Sequence, residues 1–419
     1  MTTFPSSPAL DVLHALNGLS VGDALGAQFF VPATAAAHFA ARTAPPGPWP
    51  WTDDTEMACS VSAAQIERGH IDTFDLTHAF ARRHDFDRGY GPAANRLLRL
   101  VREGGDARRL AAELFDGQGS YGNGAAMRVA PLGAAHAADP AAVVRPAADT
   151  AVITHTHPQA VDGAIAVAVA AAWAVRARTE PMTPEGFLTA VVRLTPRGAV
   201  RDGLTEAVGL LAEPDLTVAA RLLGNGSRVS AADTVPYALW CAARRLGDYP
   251  AAVWEAVGAG GDMDTVAAIT GGVVAAHTGT AGIPEAWLAA REPLPAWASP
   301  APGAVSGGPD DTGAGMRLPR PHPVPEVVWT DEQWERIRQG GPVGAPDHRW
   351  HVHTREGVVR LRHPRGHTVW EVTVAPGRDG WRPVSALVEA GPDWYEPGPD
   401  GQDPDGLTRV LRAAATGER

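Results

Sequence analysis

Lysine is absent from this 419-residue sequence, in which all 36 basic residues are arginine. A Walker P-loop, a Schiff-base enzyme and a protein kinase each need a lysine, so these mechanisms are excluded. Cysteine is scarce as well: Cys59 and Cys241 are the two in the sequence, and both lie in apolar, helix-like stretches. We expect them to be buried thiols rather than a disulfide or a nucleophile.

The sequence also has little that points to a membrane or to nucleic acid. The N-terminus shows neither the positive stretch nor the uninterrupted apolar core of a signal peptide. The strongest apolar run, at 164–175, is too short to cross a bilayer and predicts a buried helix. The formal net charge of −11 argues against a broad phosphate-binding surface. We therefore expect a cytoplasmic protein with neither a membrane nor a nucleic-acid partner.

Three regions of the chain differ in composition. Residues 1–291 are rich in alanine and show helical periodicity, so we predict an all-α domain. Residues 292–325 are rich in Pro, Gly, Ala and Asp, which predicts a linker. Residues 326–419 combine a predicted helix at 331–338 with short β-branched runs between Gly and Pro turns, which predicts a small β-rich or α+β domain. Helical periodicity in the first region is clearest at 10–25, 55–67, 162–177, 234–246 and 265–277.

The C-terminal region contains six of the 13 tryptophans and several histidines. The tryptophans predict a separate small core, and exposed tryptophans and arginines would anchor a partner. Two of the histidines would share one face of a strand, but without nearby cysteines or clustered acids we favour solvated strand residues over a metal site. These residues are Trp329, Trp334, Trp350, Trp370, Trp381, Trp394, His348, His351, His353, His363 and His367.

Chemistry is suggested first by the segment Trp51-Thr-Asp-Asp-Thr-Glu-Met. Its simplest interpretation is a helix start. Thr52 or Asp53 would be the N-cap, acids in the first turn would favour the helix dipole, and Asp53 with Glu56 would resemble a capping box.

A second helix start has the same form: two glycines are followed by Asp262, Asp264 and Thr265 at the head of an alanine-rich helix. If the two starts face each other, four carboxylates meet. Like charges at that density raise one another's pKa unless a cation neutralises them. Oxygen ligands without Cys or His select a hard ion, Mg²⁺, with Mn²⁺ as the usual substitute.

With these segments in place, the chain resembles the ADP-ribosylglycohydrolase family, whose dinitrogenase reductase-activating members are the best-known bacterial examples. The resemblance covers about residues 10–285. Four segments match in the family's order, and a fifth matches more weakly. They are Gly22-Asp-Ala-Leu-Gly, Thr52-Asp-Asp-Thr, Tyr121-Gly-Asn-Gly-Ala-Ala-Met-Arg, Gly261-Asp-Met-Asp-Thr and, more weakly, Thr154-His-Thr-His-Pro.

The resemblance implies an all-α fold that holds two Mg²⁺ ions and binds ADP-ribose. The matching metal ligands are Thr52, Asp53, Asp54, Asp262, Asp264 and Thr265. The matching ADP-ribose contacts are Gly122, Asn123, Gly124 and His155.

The substrate contacts also make physical sense. A Gly-Asn-Gly turn lets backbone N–H groups approach a diphosphate closely, although a plain turn between helices is the alternative. His155 and His157 could instead belong to a capped loop before a helix, and the role of His157 stays open. Asp23 is expected to be structural, anchoring its turn through the carboxylate.

One departure from the family's pattern bears on the substrate. Members usually have a glutamate a few residues beyond the Gly-Asp-Ala-Leu-Gly element, near the metals. Here that stretch reads Gln28-Phe29-Phe30-Val31. The site is therefore short of one acid, and the aromatic pair would offer a face on which a guanidinium stacks.

The resemblance implies hydrolysis of the glycosidic bond at C1″ of ADP-ribose, with Asp53 or Asp262 as the base that takes a proton from water. The expected substrate is ADP-ribosyl-arginine on a protein, or a small molecule that contains ADP-ribose. Two alternatives remain open: a metal-dependent phosphohydrolase and a catalytically inactive ADP-ribose-binding protein.

Overall fold

The computed structural model describes residues 7–30, 32–299, 319–321, 323–343, 350–355, 357–362, 368–377, 379–389 and 404–416. Contacts divide the chain into two units, Met1–Ser306 and Gly307–Arg419.

The first unit is built from helices, as the sequence predicts, and each of the five predicted helices is present. The helices are α1 (Pro8–Ala27), α2 (Pro32–Ala41), α3 (Asp53–Arg68), α4 (Thr73–Arg83), α5 (Pro92–Arg102), α6 (Ala107–Ala112), α7 (Ala130–Ala134), α8 (Val144–Ala151), α9 (Pro158–Arg176), α10 (Pro184–Leu194), α11 (Ala199–Gly209), α12 (Leu216–Leu223), α13 (Ala231–Arg244), α14 (Tyr249–Gly258), α15 (Met263–Thr278) and α16 (Glu285–Ala290).

Helices α1 and α15 are the most closely packed pair of helices in the first unit. An added Cβ at Gly22 would lie 2.2 Å from the carbonyl oxygen of Ala267, and one at Gly18 would lie 2.3 Å from that of Gly271. Glycine is therefore needed for the two backbones to approach. The predicted turn at Gly22-Asp-Ala-Leu-Gly is wrong, since this segment lies inside α1. Its glycines serve packing instead of a change of direction.

Helix α9 contains the strongest apolar run and lies in the core. By length and composition α9 alone, among the described residues, could cross a membrane, and 78% of its apolar window is buried inside the protein. The core helix of a folded domain passes the same test. Cys59 and Cys241 are free and buried, as predicted.

Residues 292–299, which the sequence places in the linker, pack onto the first unit. The N–H of Trp49 donates to the carbonyl of Ala290 (2.7 Å), and that of Glu292 donates to the carbonyl of Trp49 (2.8 Å). Ala298 is fully buried. Composition does not show this because the packing involves backbone hydrogen bonds to a distant segment. Residues 300–318 of the predicted linker lie outside the described residues.

Among the described residues, the second unit contains an antiparallel sheet and two helices. The strand order is β1-β6-β5-β4-β3-β2, and one of the strands comes from the end of the predicted linker. The elements are β1 (Pro319–Pro321), α17 (Asp331–Gln339), β2 (Gly341–Val343), β3 (Trp350–Arg355), β4 (Val358–Arg362), β5 (Thr368–Gly377), β6 (Gly380–Glu389) and α18 (Pro404–Thr416).

Tryptophans of the second unit form its core instead of exposed anchors. Trp329, Trp334 and Trp370 are each no more than 4% exposed. The prediction of exposed tryptophans is wrong for these three, because their large rings pack into the core of the second unit. His351 and His353 share one face of β3, opposite Arg362 and Arg360 of β4. Trp394, His348, His363 and His367 lie outside the described residues.

Candidate active site

The start of α3 is organised by a buried carboxylate on α1. Asp23 accepts hydrogen bonds from the N–H and Oγ1 of Thr52 (3.0 and 2.8 Å) and from the N–H and Oγ1 of Thr55 (3.1 and 2.5 Å). Thr52 is the N-cap of α3, and its Oγ1 accepts from the N–H of Asp54 (3.3 Å). Asp23 is thus structural, as expected, but it holds the first turn of α3 and not its own.

The start of α15 lies against the same helix. An added Cβ at Gly26, one turn beyond Asp23, would lie 2.6 Å from the Cα of Asp264. Asp262 is the N-cap of α15, yet its side chain makes no capping hydrogen bond. Asp264 accepts from the N–H of Thr265 (2.8 Å). Helix α1 therefore supports both acidic helix starts within one turn.

The four predicted aspartates lie near enough for their charges to influence one another. Burial, followed by the charges of Asp23 and Asp262, raises the pKa of Asp53 to about 7. Burial, Asp23 and Asp264 raise the pKa of Asp54 well above its usual range. Burial, Asp262 and Asp23 do the same to the pKa of Asp264. Nearby like charges in a desolvated site favour the neutral acids, so the site would gain from a bound cation.

The donor atoms at this site fit a hard divalent cation. They are carboxylate and hydroxyl oxygens, and Oδ2 of Asp54 is buried without a hydrogen-bond partner. A buried acceptor without a donor is costly unless a cation or water meets it. Among the described residues, however, no group of three or more His, Cys, Asp or Glu side chains is arranged to hold a metal ion. The chemistry of the ligands therefore supports a metal, and the coordination itself remains a proposal.

The predicted substrate loop at Gly122–Gly124 lies beside the start of α15. The side chain of Asn123 is buried, and its Nδ2 donates to Oδ2 of Asp262 (2.7 Å) and to Oγ1 of Thr234 (3.0 Å). Asn123 thus connects the loop to a predicted metal ligand. The N–H of Gly122 donates to Oγ of Ser120 (3.2 Å), and that of Asn123 donates to the carbonyl of Val229 (3.2 Å), so these two groups are engaged within the protein as well.

His155 packs beneath this loop. An added Cβ at Gly124 would lie 2.8 Å from its Cε1, and one at Gly122 would lie 3.3 Å from its Nε2. Burial and the charge of Arg128 lower the pKa of His155 to about 3, so the ring is neutral. His157 caps α9, accepting at Nδ1 from the N–H of Gln159 (3.1 Å), which agrees with its interpretation as a loop residue.

Glu56 has a different partner from the one predicted. It does not close a capping box with Asp53; its Oε1 accepts from the hydroxyl of Tyr90 (2.6 Å) and from the N–H of Asp85 (3.1 Å). Glu56 therefore connects the loop before α5 to α3. A capping-box pattern in the sequence could not reveal this, because the partners lie about thirty residues away.

Two exposed aromatic rings beside the loop were missed by the sequence analysis. Phe115 and Tyr121 are 52% and 46% exposed, and their ring centroids lie 6.0 Å apart. Phe115 has a positive φ of 52°, which is unfavourable for a bulky residue. Tyr121 directly precedes Gly122, a position that was already part of a matched segment.

The aromatic pair expected to replace the missing acid does not offer two free faces. Phe29 is 3% exposed and packs against Phe39 and Trp254, with centroid distances of 4.3 and 5.8 Å. Phe30 is 49% exposed. The prediction of two aromatic faces for stacking is therefore wrong. Burying the Phe29 ring in the apolar cluster stabilises the fold more than leaving it exposed for a ligand. Val31 lies outside the described residues.

Comparison with known proteins supports the resemblance seen in the sequence. The sequence model of a family described as ADP-ribosylglycohydrolase matches residues 7–306. ADP-ribosylhydrolase ARH3 of Bos taurus is 30% identical over 271 residues, covering 57% of this chain and 73% of that protein. The human ARH3 is 29% identical over 276 residues, with the same coverage of both chains.

A bacterial relative and a solved structure agree. The ADP-ribosyl-[dinitrogen reductase] glycohydrolase of Rhodospirillum rubrum is 31% identical over 158 residues, covering 35% of this chain and 51% of that protein. A structure described as an ADP-ribosylglycohydrolase-related protein complex has a TM-score of 0.50 and 28% identity, covering 68% of this chain and 93% of that one. The family match extends over most of the chain and includes both acidic helix starts. The chain therefore belongs to the ADP-ribosylglycohydrolase family.

Proposed function

We propose that this chain hydrolyses the glycosidic bond that links ADP-ribose to an acceptor, with Mg²⁺ as its cofactor. The observation that carries the proposal is the meeting of two acidic helix starts beside a glycine-rich loop. Asn123 of the loop lies 2.7 Å from Asp262 at the start of α15. An anionic, desolvated centre suits an oxocarbenium-like transition state.

Six residues would hold two Mg²⁺ ions, for which Mn²⁺ would substitute: Thr52, Asp53, Asp54, Asp262, Asp264 and Thr265. When bound, such ions lower the pKa of a water and orient ribose hydroxyls. The chain's own part is to accept the proton from that water, and Asp53 and Asp262 are the candidates. Asp23 and Asn123 keep the two helix starts in place through hydrogen bonds.

ADP-ribose would lie along the Gly122–Gly124 loop with its diphosphate near the backbone of Gly124, since the N–H groups of Gly122 and Asn123 already donate within the protein. Beneath the loop, the buried neutral ring of His155 supports the two glycines at close range. Phe115 and Tyr121, beside the Gly122–Gly124 loop, would stack with the adenine ring. Exposed aromatic faces bind bases without needing a particular hydrogen-bond pattern. A ligand that spans loop and acids would place its ribose beside the aspartates.

Arginine is the acceptor that we propose. A guanidinium leaving group needs little help from a general acid, whereas a serine alkoxide or an acyl group needs more. The stretch 28–30, Gln-Phe-Phe, supplies no acid, which fits the arginine linkage. Phe30 alone offers an exposed ring for stacking on a guanidinium.

The test is a panel of arginine-linked, serine-linked and O-acetyl-ADP-ribose substrates at equal concentration, with and without Mg²⁺. We expect ADP-ribose as the product, with the arginine linkage preferred. AMP and ribose phosphate would instead identify a phosphohydrolase. Binding of ADP-ribose without turnover would identify an inactive binder, and preference for the serine linkage would overturn the acceptor alone.

A further inference from the structure

A turn at residues 224–230 lies against both halves of the candidate active site. Its Asn225 carbonyl accepts from the N–H of Asp262 (3.0 Å), and its Val229 carbonyl accepts from the N–H of Asn123 (3.2 Å). The first bond holds the start of α15, and the second holds the glycine-rich loop. One turn therefore connects the predicted metal ligands to the predicted substrate loop.

Asp233, in the first turn of α13, anchors this turn. Its buried carboxylate accepts from the N–H of Arg228 (2.8 Å) and from Nε and Nη2 of the same residue (2.8 and 2.6 Å). Its backbone carbonyl accepts from the N–H of Gly226 (2.8 Å). An added Cβ at Gly226 would lie 2.4 Å from the Cβ of Asp262. The turn is thus packed too closely against Asp262 for the two to move independently.

The backbone of the turn is strained at Val229. Its φ is +53°, a left-handed conformation that is a genuine outlier for a β-branched residue, and its side chain is 58% exposed. Such strain persists only where the surroundings over-determine the backbone. Here the hydrogen bonds of Asp233 and the contact with Asp262 do so. The strained conformation directs the Val229 carbonyl to Asn123.

We propose that Asp233 is a positioning residue of the active site, which acts through the turn to fix Asn123 and Asp262 relative to each other. Asn123 completes the connection, because its Nδ2 bridges Asp262 and Thr234, the neighbour of Asp233. The consequence for catalysis rests on the proposed function. The structural coupling does not.

The coupling is tested by amide hydrogen exchange on the full chain after Asp233→Asn. The exchange rates of the Asn123 and Asp262 amides should rise about tenfold or more, since their acceptors belong to the released turn. The matched control is Asp11→Asn. Asp11 is also buried and paired with an arginine, Arg178 (2.6 Å), but lies twelve residues, about 18 Å, from Asp23 along α1. The Asp11→Asn substitution should leave the exchange rates of both amides unchanged.

A second variant separates positioning from general loss of structure. Val229→Gly fits a positive φ without strain, so the melting temperature should hold while the Asn123 amide exchanges faster. In both test variants kcat should fall about 10- to 100-fold with KM changed less, as expected for misplaced catalytic groups.

Unchanged exchange at Asn123 and Asp262 in both variants, or the same change in the Asp11→Asn control, would overturn the inference. A wild-type protein that cleaves no ADP-ribosyl substrate would refute the proposed function, while the exchange rates would still decide the coupling.

Discussion

Two kinds of aspartate-bearing helix start occur in the first unit. At α4, α6, α12 and α14 the N-cap aspartate accepts a hydrogen bond from a backbone N–H two or three residues ahead. At α15 the N-cap is also an aspartate, Asp262, yet it makes no such bond. A capping carboxylate serves its own helix. An N-cap aspartate that makes no capping bond and lies near other carboxylates is available to bind a ligand.

The start of α3 shows the same departure in another form. Thr52 provides the cap, so Asp53 and Asp54 are left behind it in the first turn. Burial and the charge of Asp23 raise the pKa of both acids, so neither stabilises the fold as a cap does. Both starts therefore carry acids that do not cap their own helix, and this feature separates them from the four ordinary aspartate caps. Four experiments test this difference between the two kinds of helix start.

The largest effect is expected from removing one of the acids that do not cap their own helix. Asp264→Ala and Asp53→Ala should each reduce activity more than about 100-fold, as for loss of a group that stabilises the transition state. Both should raise the melting temperature of the metal-free protein, because one repelling charge is gone. Asp248→Ala, which removes an ordinary cap from α14, should cost about 1 kcal/mol of stability and leave activity intact. Equal activity losses in all three would abolish the distinction.

A truncation tests whether residues after 291 support the start of α3. The Arg88 guanidinium lies 3.5 Å from the ring centroid of Trp51 and pairs with Glu292 (2.7 and 2.9 Å). Chains ending at 306 should fold and hydrolyse the substrate, and chains ending at 291 should lose activity. The measurements are the melting temperature and ADP-ribose release. An inactive 1–306 chain would show that the second unit contributes to catalysis.

A glycine substitution tests whether α1 sets the spacing of the two acidic starts. In Gly26→Ala the added Cβ would lie 2.5 Å from the carbonyl of Met263. We expect a loss of about 1–3 kcal/mol from overpacking, together with weaker Mg²⁺ binding in calorimetry. The control is Gly209→Ala in α11, where an added Cβ meets nothing within 4 Å. Unchanged Mg²⁺ affinity in Gly26→Ala would argue against α1 as the common support.

The smallest effect concerns pH in the metal-free protein. The folded-state pKa of Asp53 is raised to about 7, and those of Asp54 and Asp264 are raised as well. A raised carboxyl pKa means that the folded state binds protons more tightly, so stability falls as pH rises from about 4 through 7. The metal-free protein should therefore melt a few degrees higher at pH 5 than at pH 8. Mg²⁺ should reverse that loss at pH 8, and Asp248→Ala should leave the pH dependence unchanged.

The sequence predicts local features of this fold well and distant contacts poorly. Helical periodicity locates α1, α3, α9, α13 and α15, because each has a buried face that repeats along the chain. Helix α18 was missed, since its short amphipathic pattern follows a Pro- and Gly-rich stretch. The packing of residues 292–299 onto the first unit was not predicted, because the hydrogen bond of Glu292 to Trp49 is a distant contact that composition does not encode.

The candidate site follows the same division. The acids of both helix starts were predicted from the chain alone, since residue type and local form suffice to identify them. The partners that hold them in place were not. Asp23 belonged to a matched segment, but its hydrogen bonds to Thr52 and Thr55 cross about thirty residues. Asp233 lay in no segment that was singled out, because its role arises from a turn whose backbone strain has no sequence signature.

The central claim is that the acids at the starts of α3 and α15 that do not cap their own helix bind Mg²⁺, and that this Mg²⁺ supports hydrolysis of an ADP-ribosyl linkage. The most direct measurement is release of ADP-ribose from an arginine-linked substrate by protein treated with EDTA and then titrated with Mg²⁺. The account predicts that activity is lost in EDTA and returns with Mg²⁺, and that Asp264→Ala cannot be restored in this way. Full activity in EDTA would contradict it.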